Sequence, residues 1–441
     1  MGARELAVKI LDEIMYNGAY SNIILGKELN KSNLNTQDKA LVTEIVYGTI
    51  KYKCSIDKTI ELYLTKDINS VEKHILNILR ISFYQLIYLD KIPEYAVVNE
   101  AVDLSKKDLP GLHKLVNGVL RNHLRKRLVY KASSKIDELC YKYSFQPWMV
   151  KLFIKQYGDK NAQCILEGLN ESPNITVRVN TLKTDFDEAF NKLQENSYEV
   201  ESGEISPDAI RIIKGRSIEL NPLFKDGLIT VQDESAMLVA PLLEPTSSDK
   251  ILDLCAAPGG KTTHIAELVN GIGDLSAYDI HEYKLKLIKQ TAERLGINNI
   301  KLAKMDASLL NRDLINTADK VLIDVPCSGL GIIRKKPEIK WNKDFHEFKS
   351  LIDIQRAIIG NAIQYLKDDG TLIYSTCTLN KEENEENIKW LLKEYPEMKL
   401  QKISIGRADN IINHMEGYVT ILPNKFMDGF FIAKLIKTSR C

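Results

Sequence analysis

From residue 250 onward, apolar runs of strand length alternate with longer stretches of helical period, and this alternation constrains the fold more than any other feature. Residues 251–254, 275–279, 300–304, 321–325 and 371–375 read as strands, and stretches such as 282–295 and 352–366 between them read as helices. Strands joined by helix-length crossovers pair in parallel and are covered on both faces. The expected class is therefore α/β, a doubly wound sheet whose ligands sit outside the carboxyl ends of the strands. Residues 417–422 and 429–436 read as a final strand pair that adds antiparallel pairing.

Chemistry-bearing residues fall at those strand ends. The first strand runs into Asp253-Leu254-Cys255-Ala256-Ala257-Pro258-Gly259-Gly260-Lys261-Thr262, a glycine turn opening a helix. Glycines there let backbone approach a ligand closely, but the spacing of a phosphate-binding P-loop is absent. Asp279 ends the second strand, at the distance where an acid bonds ribose hydroxyls. Asp306 follows the third strand and Asp324 ends the fourth. Each acid alone could be a helix cap, whereas three at successive strand ends form one cluster. Cys327, in Asp324-Val325-Pro326-Cys327-Ser328-Gly329, and Cys377, in Tyr374-Ser375-Thr376-Cys377-Thr378, complete it. Either could be a buried core thiol; together, beside a nucleotide-type loop, they point to thiol chemistry next to a bound cofactor. Cys54, Cys140, Cys164 and Cys441 lack such context and read as incidental. Without a Cys-x-x-Cys pair, neither a zinc site nor a disulfide framework is expected.

The remainder of the 441 residues calls for further domains. Residues 1–130 read as a helical bundle: Val71, Ile75, Ile78, Leu79, Phe83 and Leu86 have the spacing of an amphipathic helix, and further helices are expected near 36–52 and 112–126. Residues 1–144 carry 22 Lys+Arg against 17 Asp+Glu, net +5, whereas the rest is net −4, so a polyanion is expected to meet the front of the chain. Arg121, Arg125, Lys126, Arg127, Lys131 and Lys135 read either as a solvated helix end suited to the helix dipole or as phosphate contacts. Residues 145–235 mix short strands and helices. Within them, 175–180 alternates as a strand with Arg178 either a surface charge or a contact to RNA or to the fold. Residues 227–236 read as a strand leading into a helix. The stretch 331–341 holds Arg334, Lys335, Lys336, Lys340 and Trp341, and reads as an exposed loop or as an RNA contact by phosphate pairing and base stacking. The start of the chain lacks a signal-peptide stretch, and no apolar run approaches the roughly 18 residues that span a bilayer. A reducing cytoplasm is expected.

These motifs resemble the RNA cytosine-C5 methyltransferases, and over nearly the full length the RsmB (Sun) family of bacterial rRNA enzymes. Asn117-Gly118-Val119-Leu120-Arg121-Asn122 is similar to the last helix of the NusB-like RNA-binding fold. The resemblance implies an all-α NusB-like domain (1–140), a small α+β subdomain (141–235, with Arg178–Asn180 and Gln232–Ser235 carried over) and a Rossmann-like methyltransferase domain (236–441). It implies S-adenosylmethionine as cofactor and no metal. Cys255, Ala256, Ala257, Pro258, Gly259, Gly260 and Lys261 would wrap its methionine part, Asp279 would hold ribose, Asp306 would face adenine, and Asp324 would sit near the reacting methyl. Cys377 would be the nucleophile and Cys327 the thiol assisting release, with Lys261 stabilising the thiolate or the cytosine ring. The implied target is cytosine 967 of free 16S rRNA, methylated by a monomer that meets no membrane. A tRNA methyltransferase of the same chemistry, and an inactive RNA-binding assembly factor, are the alternatives.

Overall fold

The computed structural model describes residues 1–343 and 347–439; Cys441 lies outside them. The chain forms two compact units, one of Met1–Asn170 with Ile333–Lys343, the other of Glu171–Ile332 with Asp344–Cys441. Among the described residues no helix is long and apolar enough to cross a membrane.

The first unit is helical. The helices expected near 36–52 and 112–126 run over Thr36–Lys51 and His113–Lys126. The helix Lys73–Tyr88 is buried on every face from residue 75 to 85, rather than on one stripe. Its polar residues tolerate this because each has a partner. Arg80 donates Nε and Nη2 to the two oxygens of Asp57 (2.7 and 2.9 Å), and Asn77 donates to Asp12 (2.8 Å). Gly48, on Thr36–Lys51, faces this helix so closely that a Cβ would lie 1.9 Å from the Tyr84 ring.

The basic stretch 331–341 is neither an exposed loop nor an RNA contact at Lys340 and Trp341. Both are built into the helical unit. Lys340 is fully buried and donates from Nζ to the carbonyls of Lys51 (3.0 Å), Ser144 (3.1 Å) and Tyr143 (3.4 Å) and to Asn170 Oδ1 (2.7 Å). Trp341 Nε1 donates to the Ile50 carbonyl (2.8 Å). Glu338 accepts from Ser21 N–H and Oγ (3.2 and 2.7 Å). The acceptors lie far from this stretch in sequence, which is why its composition alone misplaced it.

The second unit contains two sheets. A four-stranded antiparallel sheet, ordered β2-β3-β1-β4, is formed by β1 (Ile175–Val179), β2 (Glu199–Ser202), β3 (Ala209–Lys214) and β4 (Ile229–Val231). The larger sheet contains β5 (Lys250–Asp253), β6 (Asp274–Asp279), β7 (Ile300–Lys304), β8 (Ala318–Asp324), β9 (Leu366–Thr376), β10 (Met398–Leu400), β11 (Ile411–Asn413), β12 (Tyr418–Ile421) and β13 (Phe430–Lys437). Its order is β11-β12-β13-β9-β8-β5-β6-β7, with β10 also on β13. Strands β5 to β9 pair in parallel, and β13 joins β9 antiparallel. Successive residues alternate between two cores: Leu252, Val321, Ile323, Leu372 and Tyr374 on one face, Ile251, Leu322 and Ile373 on the other. Each such side chain contributes roughly 1.5–3 kcal/mol of apolar burial. The strand order reverses between β5 and β8, and a crevice opens at such a switch point.

Candidate active site

The loop after β5 is fixed to its neighbours by backbone bonds, Leu254 N–H to Leu322 O (3.0 Å) and Ala256 N–H to Tyr278 O (2.8 Å). Gly259 then turns the chain at φ 101°, where an L side chain is strained and a Cβ would press on Ile288 at 3.1 Å. The helix Gly260–Leu268 starts there. Beside this loop lies a cavity of about 200 Å³, whose lining includes Cys255, Ala256, Ala257, Pro258, Gly260, Lys261 and Asp324 together with Gln232 and Asp253. Asp279 and Asp306 end neighbouring strands outside that lining. Asp279 accepts from His281 N–H through Oδ1 (2.9 Å) and Asp306 accepts from Ser308 N–H and Oγ through Oδ1 (2.9 and 2.6 Å). Both acids thus close Asx turns with one oxygen.

Two residues of the cavity wall were not singled out from sequence as ligands. Asp253 is buried and accepts from Thr262 Oγ1 (2.6 Å) through one oxygen; burial pushes its pKa up to about 7. Gln232 is oriented by Arg178, whose Nη1 donates to Gln232 Oε1. Arg178 is neither a surface charge nor an RNA contact: it is fully buried and donates to Glu267 from Nε (3.0 Å) and Nη2 (2.7 Å) and to the Gly260 carbonyl (2.8 Å). It therefore ties β1 to the start of the cofactor helix. Gln232 Nε2 and Asp253 Oδ1 are buried without a hydrogen-bond partner. A donor and an acid left unpaired at one cavity fit a ligand with both an anionic and a cationic group, such as the amino-acid end of S-adenosylmethionine.

At the mouth of β8 and β9 the two thiols meet. Cys327 Sγ and Cys377 Sγ are 3.4 Å apart. Lys261 Nζ lies 2.7 Å from Asp324 Oδ2, and Asp324 Oδ1 accepts from Ser375 Oγ (2.8 Å). Burial alone would lower the Lys261 pKa, but Asp324, with Cys377 and Asp253 adding to it, holds it above the ordinary value. The hydrogen bond to Cys377, then burial, keep the Cys327 thiol well above the usual range. Cys255 is held up too, by burial and by the nearby acids Asp253, Asp324 and Asp279, so it is a protonated wall rather than a nucleophile. The loops are pinned by a close backbone approach: Gly331 N–H donates to Cys377 O (2.9 Å), and a Cβ on Gly331 would lie 2.0 Å from Gly429 O. Elsewhere, Cys140 is buried and pushed up to about 11 by burial, Cys54 is half-buried and Cys164 exposed. Among the described residues no group of three or more His, Cys, Asp or Glu could hold a metal ion.

A doubly wound sheet with an antiparallel strand beside β9 and a cavity at its switch point is an arrangement found in S-adenosylmethionine-dependent methyltransferases, the class to which the family matches below assign this chain, and S-adenosylmethionine is its cofactor. Residues 240–436 match the model of the 16S rRNA methyltransferase RsmB/F family, 1–125 the NusB family, and 145–219 the ferredoxin-like domain of RsmF/B-like methyltransferases. The probable ribosomal RNA small subunit methyltransferase B of Bacillus subtilis (strain 168) is 36% identical over 443 residues, covering 98% of each chain. Among solved structures, the crystal structure of PH0851 superposes with a TM-score of 0.83 at 27% identity, covering 99% of both chains. NSun6 from Pyrococcus horikoshii, solved with the S-adenosylmethionine analogue SFG, gives 0.61 at 26% identity over 68% of this chain and 100% of its own. The chain belongs to the RsmB/F family of ribosomal RNA methyltransferases.

Proposed function

We propose that the protein methylates carbon 5 of one cytosine of 16S rRNA, the family's cytosine 967, through a covalent adduct on Cys377. The observation that carries this reading is the pair of thiols 3.4 Å apart at the ends of β8 and β9, beside the Lys261–Asp324 pair. The two sulfurs are not equivalent. The Lys261 ammonium acts on Cys377, whereas the carboxylates of Glu383 and Asp324 act on Cys327. A nearby cation favours a nucleophilic sulfur, so we assign Cys377 as the nucleophile and Cys327 as the thiol that assists release.

Carbon 5 of cytosine is a poor nucleophile. Addition of the Cys377 thiolate to carbon 6 forms a C–S bond, breaks the 5,6 double bond and makes carbon 5 enamine-like. Bound S-adenosylmethionine supplies the electrophilic methyl; the loop 255–261, Gln232, Asp253, Asp279, Asp306 and Asp324 are the residues that would hold it. The carbon-5 proton passes to solvent water, assisted by Cys327, as the double bond re-forms and the C–S bond breaks to release the Cys377 thiolate. Carbon 6 is reachable only on an unstacked base, so the target is unpaired or flipped, in agreement with free 16S rRNA as substrate. The exposed cations Arg121, Arg125, Lys126 and Lys131 of the helical unit supply phosphate contacts. We read the enzyme as a cytoplasmic monomer.

The two cysteines should fail differently. Cys377→Ala should give neither product nor adduct. Cys327→Ala should still attack and then stall, leaving a protein–RNA adduct visible as a shifted band in a denaturing gel. Adducts from Cys377→Ala and none from Cys327→Ala would reverse the assignment.

A further inference from the structure

Glu383 lies in the loop between β9 and the helix Glu385–Glu394 and is fully buried. Its carboxylate collects four donors. Oε2 accepts from Ser328 N–H (2.8 Å) and Gln355 Nε2 (2.9 Å); Oε1 accepts from Ser328 Oγ (2.5 Å) and Asn380 Nδ2 (3.2 Å). Ser328 directly follows Cys327, and Asn380 is three residues beyond Cys377. The same network closes on itself: Ser328 Oγ meets Thr378 Oγ1 at 2.7 Å, and Gln355 Nε2 also donates to the Pro326 carbonyl (2.9 Å). Asn387 Nδ2 holds Gln355 Oε1 (2.8 Å), and the Glu383 carbonyl accepts from Tyr374 Oη (2.5 Å). One carboxylate thus joins the loop after β8, the loop after β9 and the helix Glu347–Tyr365.

An ionised carboxylate withdrawn from water costs several kcal/mol in desolvation, and apolar residues often replace buried charges without loss of stability. An amide in place of the Glu383 carboxylate would present an N–H₂ to these donors and could not accept from all four, so the carboxyl group itself sets the geometry. Lys261 provides a positive charge on the Cys377 side; Glu383 provides a negative one on the Cys327 side. We propose that Glu383 is a positioning residue for methyl transfer: by accepting from Ser328 and Asn380 it locks the two thiol-bearing loops together and holds Cys327 and Cys377 side by side. The inference rests on the assignment of Cys377 as nucleophile. The groups facing Cys327 are Cys377, Glu383, Asp324 and Tyr374, with Lys261 facing Cys377. Of these, Glu383 is the one bonded to the backbone next to Cys327.

The test needs no RNA. The full-length protein is alkylated with iodoacetamide across pH 6–10, and each cysteine is followed by peptide mass spectrometry. In the wild type Cys377 should react about tenfold faster than Cys327 near neutral pH, because the bond to Cys377 and burial hold the Cys327 thiol well above the usual range. Glu383→Gln removes the charge and turns an amide N–H₂ toward donors. The ratio should then fall to about one or two, and the Cys327 profile should move to lower pH. An unchanged ratio and profile in a folded variant would overturn the proposal. Should Glu383→Gln not fold, Ser328→Ala keeps the charge and removes a hydroxyl that bridges the loops. It should lower kcat about tenfold with an unchanged KM for S-adenosylmethionine; a wild-type kcat would overturn the positioning role. The adduct assay on Cys327→Ala separately decides whether Cys377 is the nucleophile, so the two failures are distinguishable.

Discussion

Lys261 and Lys340 are both withdrawn from solvent, one in each unit, and their surroundings differ in kind. Lys261, at the cofactor cavity, keeps 14% of its side chain exposed and faces a carboxylate, Asp324, at 2.7 Å. Lys340, in the helical unit, is fully buried and faces neutral acceptors, three backbone carbonyls and an amide oxygen, with its Nζ 3.8 Å above the Phe145 ring. Accordingly Asp324 raises the Lys261 pKa despite burial, while burial and the charge of Lys51 push that of Lys340 well below the ordinary range. A carboxylate partner retains a charge where chemistry uses it. Neutral acceptors use a lysine as a many-armed tether.

The sharpest way to break this contrast is to give both lysines the same substitution. On the proposed mechanism, Lys261→Met removes the cation beside Cys377 and leaves Asp324 uncompensated. We expect kcat to fall about 10²–10³-fold, roughly 3–4 kcal/mol of transition-state stabilisation, with unfolding of the helical unit unaffected. Methyl transfer within tenfold of wild type would remove Lys261 from the chemistry. Lys340→Met retains the stem but leaves several buried carbonyls unpaired, each costing about 1–3 kcal/mol before relaxation. Unfolding free energy in urea should fall by about 2–3 kcal/mol, with affinity for S-adenosylmethionine by calorimetry unchanged. A loss of cofactor affinity without a loss of stability would mean that Lys340 is no tether.

The two lysines also show what a sequence makes legible. Strands β5 to β9 are readable because their apolar runs are separated by stretches of helical period, so 300–304 and the helix 282–295 agree with the observed bounds. The loop 255–261 and both thiols are readable because each motif is local, a few residues at a strand end. Lys340 was misread because its acceptors are supplied by residues 51, 143, 144 and 170. Arg178 was left open for the same reason, with partners 54 and 89 positions away. Glu383 sits among Lys381, Glu382, Glu385 and Glu386 and looks like part of a solvated acidic run, although it is buried. Strands β10 and β11, three residues each, are too short for a period to emerge. Local motifs announce themselves; side chains whose role is to join distant segments do not.

A third cation tests whether partner type, rather than location, decides the outcome. His74 belongs to the helical unit with Lys340, yet it has carboxylate partners like Lys261: Asp12 at 2.6 Å from Nδ1 and Asp108 at 3.0 Å from Nε2. The hydrogen bond to Asp12, opposed by burial and reinforced by Asp108, raises its pKa to about 9. The folded state therefore binds the proton more tightly than the unfolded chain, whose histidine titrates near 6.5. The stabilisation is fully present below about pH 6.5 and is lost as pH rises through about 9. Because the ring is partly exposed, solvent screening limits the effect to about 1 kcal/mol. Lys340 contributes in the opposite sense, since a lowered folded pKa makes stability rise with pH, so the wild-type curve alone mixes the two. The difference between wild type and His74→Gln isolates one of them. Urea unfolding of both proteins from pH 6 to 10 should show the wild type more stable at pH 6 by about 1 kcal/mol, with the gap closing by pH 10. A gap that stays constant across this range would mean that the His74 bonds act through geometry alone, and that partner charge does not distinguish the buried cations of this protein.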